Sequence, residues 1–346
     1  MVSIVLVTYN RARRLKLSIQ DILDQTFKDF ELIICDDCSP DDTESVCREF
    51  LEKDNRIKYY RHASNLQMPA NCNFGIQKAI YPYIAILHDG DRFKPDLIEQ
   101  WYNAISKNDS VAFVFNSIGT TDENENLVET YKEFEEGLVS REYLLREVFF
   151  RRWQFDSPVY GEAMVKKQMI EEKGFLKKRY SFYADVDLWM ELLHSHDAYY
   201  CSETLITGPT KTLQPRLFDD NLIKEFLHLF RIQLVHRKKE FKSQPLILIK
   251  ELAIFWGQAL INLNYRLLLL VKNFSFMSFV KASRLLKQSF IFLASWIVIL
   301  ILYPLLYPLL RLFKYLKQLH SRPLLAHTVK GFSILLEEMV RGIWLV

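Results

Sequence analysis

An α/β fold built on a doubly wound sheet, followed by a helical C-terminal region, is what the sequence predicts. Three observations carry it. Short apolar, β-rich runs alternate with helical patterns three times before residue 90, the rhythm of successive β-α units. The runs have few polar positions, as strands covered on both faces do. Beyond residue 215 the chain turns basic and aliphatic: residues 216–346 hold 19 Lys/Arg against 7 Asp/Glu, net +12, whereas the first 215 carry net −9, so the overall +3 conceals a split.

Residues 2–8 (Val-Ser-Ile-Val-Leu-Val-Thr) form the first strand, and Tyr9, Asn10 and Arg11 the turn out of it. Leu15, Ile19, Ile22 and Leu23 recur at helical spacing, so a helix follows and ends near Gln25 and Thr26. Residues 30–35 (Phe-Glu-Leu-Ile-Ile-Cys) are the second strand, running into Asp36 and Asp37. Asp41, Asp42 and Thr43 cap the next helix, with Val46, Phe50 and Leu51 facing inward. A third strand is predicted at 57–60, a loop at 65–73, a helical turn at 74–80 and a buried strand at 83–87. Further on, 97–105 reads as helix, 111–115 as strand, 120–136 as a solvated excursion or short hairpin, and 140–150 and 165–173 as helices. Residues 151–158, with Trp153, Phe155 and Asp156, suit either a binding loop or aromatics packed beneath one. Ala184, Asp185, Val186 and Asp187 open another helix, where the dipole favours carboxylates whatever their chemistry.

A composition of 25% charged and 49% apolar residues excludes a disordered chain. The expected organisation is a first domain at 1–215, an amphipathic helical extension at 216–280 and a basic, apolar segment at 281–346. Cys35-x-x-Cys38 lacks a second pair at ligand spacing and is expected to serve neither metal nor redox chemistry. With no secretory leader ahead of the first strand, a reducing, cytosolic setting is expected for the N-terminal part. Residues 290–310 are uncharged, and a bilayer span needs about 20 apolar residues. Pro304 and Pro308 break that helix. Basic residues on both flanks choose no orientation, so a kinked span and a re-entrant helix both stay open. The tail is read as membrane-associated, and 324–346 as an amphipathic helix suited to a membrane surface or a partner.

In a doubly wound sheet, ligands bind beyond the carboxyl ends of the strands. Thr8-Tyr9-Asn10, Asp36-Asp37 and Asp89-Gly90-Asp91 all lie at such ends. Asp89 and Asp91 suit a divalent cation, because Mg²⁺ and Mn²⁺ take oxygen ligands and share them with substrate phosphates. Asp36 and Asp37 sit where a nucleotide base or ribose could be read, and Asp185 is a candidate general base. Each signal is weak singly, and their ordered co-occurrence is the stronger evidence. His88, just ahead of the two carboxylates, has no role arguable from sequence.

The run Gln25-Thr26-Phe27-x-x-Phe30-Glu31-Leu32-Ile33-Ile34-x-Asp36-Asp37-x-Ser39-x-Asp41-x-Thr43 is highly specific. With 2–11, Asn73-x-Gly75-Ile76, Asp89-x-Asp91 and Asp185-x-Asp187-Leu188-Trp189, it resembles family 2 glycosyltransferases of the GT-A fold over roughly residues 1–205. The resemblance implies an inverting transfer of a sugar from a nucleotide diphosphate sugar, UDP-type favoured, to an acceptor hydroxyl. It places Asp37 at the donor base and Thr8 and Asn10 in the nucleotide pocket. It makes Asp91 the principal ligand of Mn²⁺ or Mg²⁺ with Asp89 beside it, and Asp185 the base. Asn73 belongs to a matching motif and is expected, with Arg11 and Asp36, on the substrate side.

Three departures from the family pattern stand out. The Glu expected before the base is Ala184, leaving Asp187 as an alternative base. The basic residue expected before Asn73 is Cys72, so phosphate contacts should come from Arg11 or Lys78. The stretch Gly208-Pro209-Thr210-Lys211 lacks a His that many relatives carry. The expected partners are a nucleotide diphosphate sugar, a glycan or lipid-linked acceptor and a membrane, with self-association open and no nucleic acid. The expected location is the cytoplasmic face of the plasma (inner) membrane. Two rivals remain: a nucleotidyltransferase, which lacks its usual Gly- and Arg-rich loop here, and a catalytically inactive nucleotide-binding scaffold tethered by the tail.

Overall fold

The computed structural model describes residues 1–151, 159, 161–209 and 220–255, the last group with side chains from 228 onward. Residues 152–158 and 160, which include all but the first residue of the loop expected at 151–158, residues 210–219 and the segment 256–346, including the hydrophobic stretch 290–310, lie outside the described residues. Among the described residues, no helix is long and apolar enough to cross a membrane.

Strands β1 (Val2–Thr8), β2 (Phe30–Asp36), β3 (Ile57–Arg61) and β4 (Tyr83–His88) pair in parallel in the order β3-β2-β1-β4. Helices α1 (Ala12–Leu23), α2 (Thr43–Leu51) and α3 (Met68–Lys78) connect them. Every residue of β1 and β2 is buried, the signature of strands covered on both faces. Side chains alternate between faces: Ile4, Leu6, Leu32 and Ile34 join one apolar cluster, with Leu15 of α1 and Trp101 of α4 (Leu97–Ser106). Val5, Val7 and Ile33 join the other, with Ile76 of α3 and Trp189 of α6 (Ala184–Leu193).

The sheet continues beyond β4 with mixed polarity, so the doubly wound sheet is a mixed one. Next to β4 lies β9 (Ala163–Lys166), antiparallel to both β4 and β6 (Val111–Thr121). β10 (Asp197–Pro209) runs parallel to β6 and antiparallel to β5 (Arg92–Phe93) and β8 (Gly137–Val139). The excursion expected at 120–136 contains the exposed strand β7 (Leu127–Tyr131), folded back on β6 as a hairpin.

Several elements differ from the sequence reading, the short strands β5 and β8 among them. α3 begins at Met68, inside the expected loop, because Pro69 occupies its first turn, where a missing N–H is harmless. The helix expected over 165–173 is only α5 (Lys167–Glu172), since Ala163, Met164 and Val165 are taken by the sheet as β9. Such a short buried apolar run cannot be told from a helical turn by periodicity. β10 was not expected at all. The helix expected at 140–150 is a π-helical segment, Tyr143–Phe149.

The chain divides into two compact units, Met1–Leu248 and Ile249–Val346. Helix α7 (Asp220–Glu240) therefore lies inside the first unit, past the expected boundary at 215.

Candidate active site

The parallel register sets Thr8 beside Asp36, and Val7 beside His88, so β2, β1 and β4 present their carboxyl ends along one edge. Just past β4, Asp89 is 5% exposed and turned back onto β1. Its Oδ2 accepts the Thr8 hydroxyl at 2.7 Å and the Tyr9 N–H at 3.3 Å, and Oδ1 faces Arg11 Nη1 at 3.3 Å. Burial raises the Asp89 pKa, opposed by the Thr8 hydroxyl and the Arg11 charge.

Asp36 and Asp37 are spoken for internally. Asp36 is fully buried: Oδ1 accepts the Ser39 N–H at 2.8 Å, Oδ2 accepts the Tyr59 hydroxyl at 2.7 Å, and Arg61 Nε stands 3.5 Å away. Asp37 accepts the backbone N–H groups of Leu66 at 2.6 Å and Gln67 at 2.9 Å, pinning that loop over the strand ends. Asn10 adopts φ 56°, and its N–H bonds Ser39 Oγ at 2.9 Å, which leaves its side chain exposed at the edge. Asn73 lies apart from this edge in its bonding: its amide donates to Leu176 O at 2.8 Å and accepts Leu176 N–H at 3.0 Å, locking α3 to the segment before α6. Of the two cations considered for phosphate, Lys78 lies in the last turn of α3 over the Tyr60 and Phe74 rings, at 5.6 and 5.3 Å. Arg11 is the one at the strand ends.

Asp91 belongs to a different group of side chains from Asp89. One ligand atom of Asp91, one of His88 and one of Glu162 lie within 4.8 Å of each other. Glu162 is 4% exposed. Carboxylate and imidazole donors of this kind are chemically suited to a divalent cation. No motif marks Glu162 in the sequence; it becomes visible only once β9 is placed beside β4.

Asp185 sits in the first turn of α6. Its Oδ1 is sealed from solvent and has no hydrogen-bond partner among the described residues. Burial pushes its pKa up to about 7, against backbone N–H groups that act to lower it. A Cβ at Gly161 would stand 3.0 Å from both Asp185 Oδ2 and His88 Cε1. These two atoms are therefore at most 6.0 Å apart, twice that distance. Gly161 has φ +80°, the left-handed region that favours glycine.

Asp187 points away into the protein. It is 1% exposed, with Oδ2 on Lys177 Nζ at 2.8 Å and Oδ1 on His236 Nε2 at 3.1 Å. The chain of contacts continues from His236 to His194 at 2.9 Å, from His194 to Glu240 at 3.0 Å, and from Glu240 to Arg146. Burial, then the neighbouring His236, lowers the His194 pKa to about 4. Burial alone would raise Glu191, but Lys239, His236 and Lys177 bring it down to about 2. Asp187, Glu191 and His236 also cluster within 4.8 Å, yet Lys177 and Lys239 already supply the positive charge. This network joins α6 to α7 and makes Asp187 a structural residue. The sequence marked neither His236 nor Lys177.

Residues 3–173 match the family model described as Glycosyl transferase family 2. An uncharacterized glycosyltransferase of Methanocaldococcus jannaschii is 28% identical over 195 residues, 56% of this chain and 64% of that protein. The Campylobacter jejuni GalNAc(5)-diNAcBac-PP-undecaprenol beta-1,3-glucosyltransferase is 29% identical over 198 residues, 57% of this chain and 61% of that protein. The matches thus span less than two thirds of these relatives' own lengths. Among solved structures, Staphylococcus aureus TarS 1–349 in complex with UDP-GlcNAc is similar with a TM-score of 0.56 and 15% identity, over 74% of this chain and 72% of that one. At that identity the likeness establishes the shared GT-A type fold.

Proposed function

The chain belongs, through residues 3–173, to glycosyl transferase family 2, and on that premise we propose that it moves a sugar from a nucleotide diphosphate sugar to a hydroxyl of a lipid-linked or polysaccharide acceptor, with inversion. The observation that carries the reading is Asp185: a carboxylate with Oδ1 sealed from solvent and a pKa of about 7, its Oδ2 held within 6.0 Å of His88 Cε1 at the end of β4. A general base is most effective when its pKa lies near the working pH.

Asp185 takes the proton from the acceptor hydroxyl as that oxygen attacks the anomeric carbon from the face opposite the diphosphate. Single displacement of this kind inverts the configuration. Thr8, Asn10 and the loop pinned by Asp37 form the nucleoside side of the cleft, with Asp36 bracing it from within. Arg11, on the same edge, faces the diphosphate. Asp91 would hold Mn²⁺ or Mg²⁺, which when bound neutralises the leaving diphosphate.

A UDP-type donor is favoured by the family resemblance, with Asp37 shaping the nucleoside side through the Leu66–Gln67 loop it holds. A lipid-linked acceptor is favoured by the Campylobacter relative, whose name specifies an undecaprenol-linked glycan. The basic, aliphatic tail supports work on the cytoplasmic face of the plasma (inner) membrane. A screen of nucleotide sugars by release of nucleoside diphosphate, with membranes present and with Mn²⁺ or EDTA, tests the reading. Release from one donor class that EDTA suppresses is expected. No release from any donor with either metal would leave the inactive scaffold standing.

A further inference from the structure

We propose that the divalent cation is held by His88, Asp91 and Glu162, and that Asp89 stands outside its coordination shell. This rests on the sugar-transfer reading and deepens it by naming the ligands. The topology brings the three together. β9 runs antiparallel to β4 with Ala163 opposite Ile86, so the preceding residue, Glu162, reaches the strand end that delivers His88. Glu162 Oε1 accepts the His88 backbone N–H at 3.1 Å. Asp91 comes from the turn after β4, whose backbone is tied to α1: Ser18 Oγ donates to Asp91 O at 2.8 Å and Arg14 to Gly90 O at 3.2 Å. From the far side Gly208 closes on it, since a Cβ there would stand 2.4 Å from Asp91 Oδ1. The result is one imidazole and two carboxylates whose ligand atoms lie within 4.8 Å of each other. That donor set suits Mn²⁺ better than Mg²⁺, since imidazole favours transition metals and carboxylate serves both.

A second observation points at the same place. Asp185 Oδ1 is sealed from solvent without a hydrogen-bond partner among the described residues, and the Asp185 carboxylate lies beside His88 across Gly161. An unpartnered, sealed carboxylate oxygen on a residue beside a proposed ligand is accounted for by an ion or a water bound there.

Asp89 is committed to the β1 side of the edge. Both its oxygens are bonded, to Thr8, Tyr9 and Arg11. Turning it onto a cation would break those bonds and release Arg11 from the strand-end position where it can meet a diphosphate. Asp89 is therefore a positioning residue for Arg11, and Glu162 takes the metal role that the sequence reading gave to Asp89.

The test is Mn²⁺ binding to the full-length protein in mild detergent, with no sugar donor present, by titration calorimetry and by electron spin-echo spectroscopy. Glu162→Gln keeps the acceptor for the His88 N–H and so preserves the local fold, which thermal melting checks. Glu162→Gln and Asp91→Asn should each weaken Mn²⁺ at least about 10-fold, the scale on which ligand-sphere changes act. Asp89→Asn should lose less Mn²⁺ affinity than either ligand variant, because its carboxylate bonds Thr8, Tyr9 and Arg11 and is not a ligand. The parent should show nitrogen modulation from an imidazole on Mn²⁺, and His88→Gln should abolish it. The ligand set is overturned if the parent binds no Mn²⁺, if Glu162→Gln binds like the parent, if Asp89→Asn loses the metal, or if His88→Gln keeps the nitrogen signal. Sugar transfer with parent-like Mn²⁺ binding in Glu162→Gln would sink the ligand set alone. Mn²⁺ bound as described, with no donor turned over, would sink the transfer reading alone.

Discussion

Asp185→Asn should make the protein more stable while stopping transfer, and both effects come from one carboxylate. Burial lifts the Asp185 pKa from 3.8 to about 7. At about 1.4 kcal/mol per pKa unit, holding the ionised form in the folded state costs about 4 kcal/mol. The folded pKa lies above the unfolded one, so this cost is absent below pH 4, grows as the pH rises towards 7, and is complete above it. Asparagine has the same shape and no charge to bury. In metal-free protein, its advantage over the parent should therefore increase by about 2–3 kcal/mol between pH 5 and pH 8. Urea denaturation in EDTA at the two pH values measures it. Transfer should fall about 10²- to 10⁴-fold, the usual contribution of a general base. In the parent, kcat/KM should drop as the pH falls and Asp185 protonates, at a pH below the metal-free value of about 7 because a bound dication favours the carboxylate. An advantage that stays flat or turns negative with rising pH would refute the burial reasoning.

Asp187→Asn supplies the opposite sign. It removes a charge that is 1% exposed and pairs Lys177 at 2.8 Å. Breaking a buried ion pair costs about 3–5 kcal/mol. Lys177 is 25% exposed and keeps Glu191 at 3.3 Å, which lowers the expectation to about 2–3 kcal/mol of destabilisation. Should Asp187→Asn gain stability and lose kcat instead, the two carboxylates have been assigned the wrong way round.

Gly161→Ala puts a methyl group 3.0 Å from Asp185 Oδ2 and His88 Cε1 at φ +80°. It should cost about 1–2 kcal/mol in calorimetry, the price of a left-handed backbone, and lower kcat about 10-fold by displacing the base; an unchanged kcat would remove Gly161 from the site. Asp37→Ala frees the Leu66 and Gln67 N–H groups, so the loop should be cut faster by protease and donor KM should rise several-fold with kcat little changed, and an unchanged KM would detach that loop from donor binding. Deleting residues 281–346 should release the protein from membranes in a carbonate-wash fractionation, and recovery of the full-length chain in the soluble fraction without detergent would contradict the membrane setting.

The parallel half of the sheet was legible because its strands are buried runs of β-branched and aliphatic residues, each ending in a polar turn. The residues placed on that edge, Thr8, Asn10, Arg11, Asp89 and Asp91, sit at strand ends that register alone aligns. What the sequence could not show was where each carboxylate turns. Asp89 and Asp91 are two residues apart, yet one folds back on β1 and the other meets His88 and Glu162. Asp36 and Asp37 looked equivalent to any ligand-facing pair, but the first braces Tyr59 and the second holds a loop. Glu162 was hidden because β9 is four residues of Ala, Met, Val and Lys, which fit a helical turn equally well. The His194–His236 link was hidden because its partners are 42 residues apart, on helices whose packing no local pattern encodes.

Ala184, where the family pattern has a Glu, is the sequence's strongest hint of an inactive protein, and its packing supplies an argument on the other side. Ala184 is fully buried in the apolar cluster at the start of α6. A carboxylate there would lie in the same helical turn as Asp185, and a like charge raises a pKa that burial has already lifted to about 7. More of the base would then be protonated at neutral pH, and less of it could accept a proton. With alanine at 184, and with Asp187 drawn off by Lys177 and His236, Asp185 is the one carboxylate of that turn left to the site. On the proposed reading, alanine at 184 spares Asp185 a second buried charge in its own helical turn.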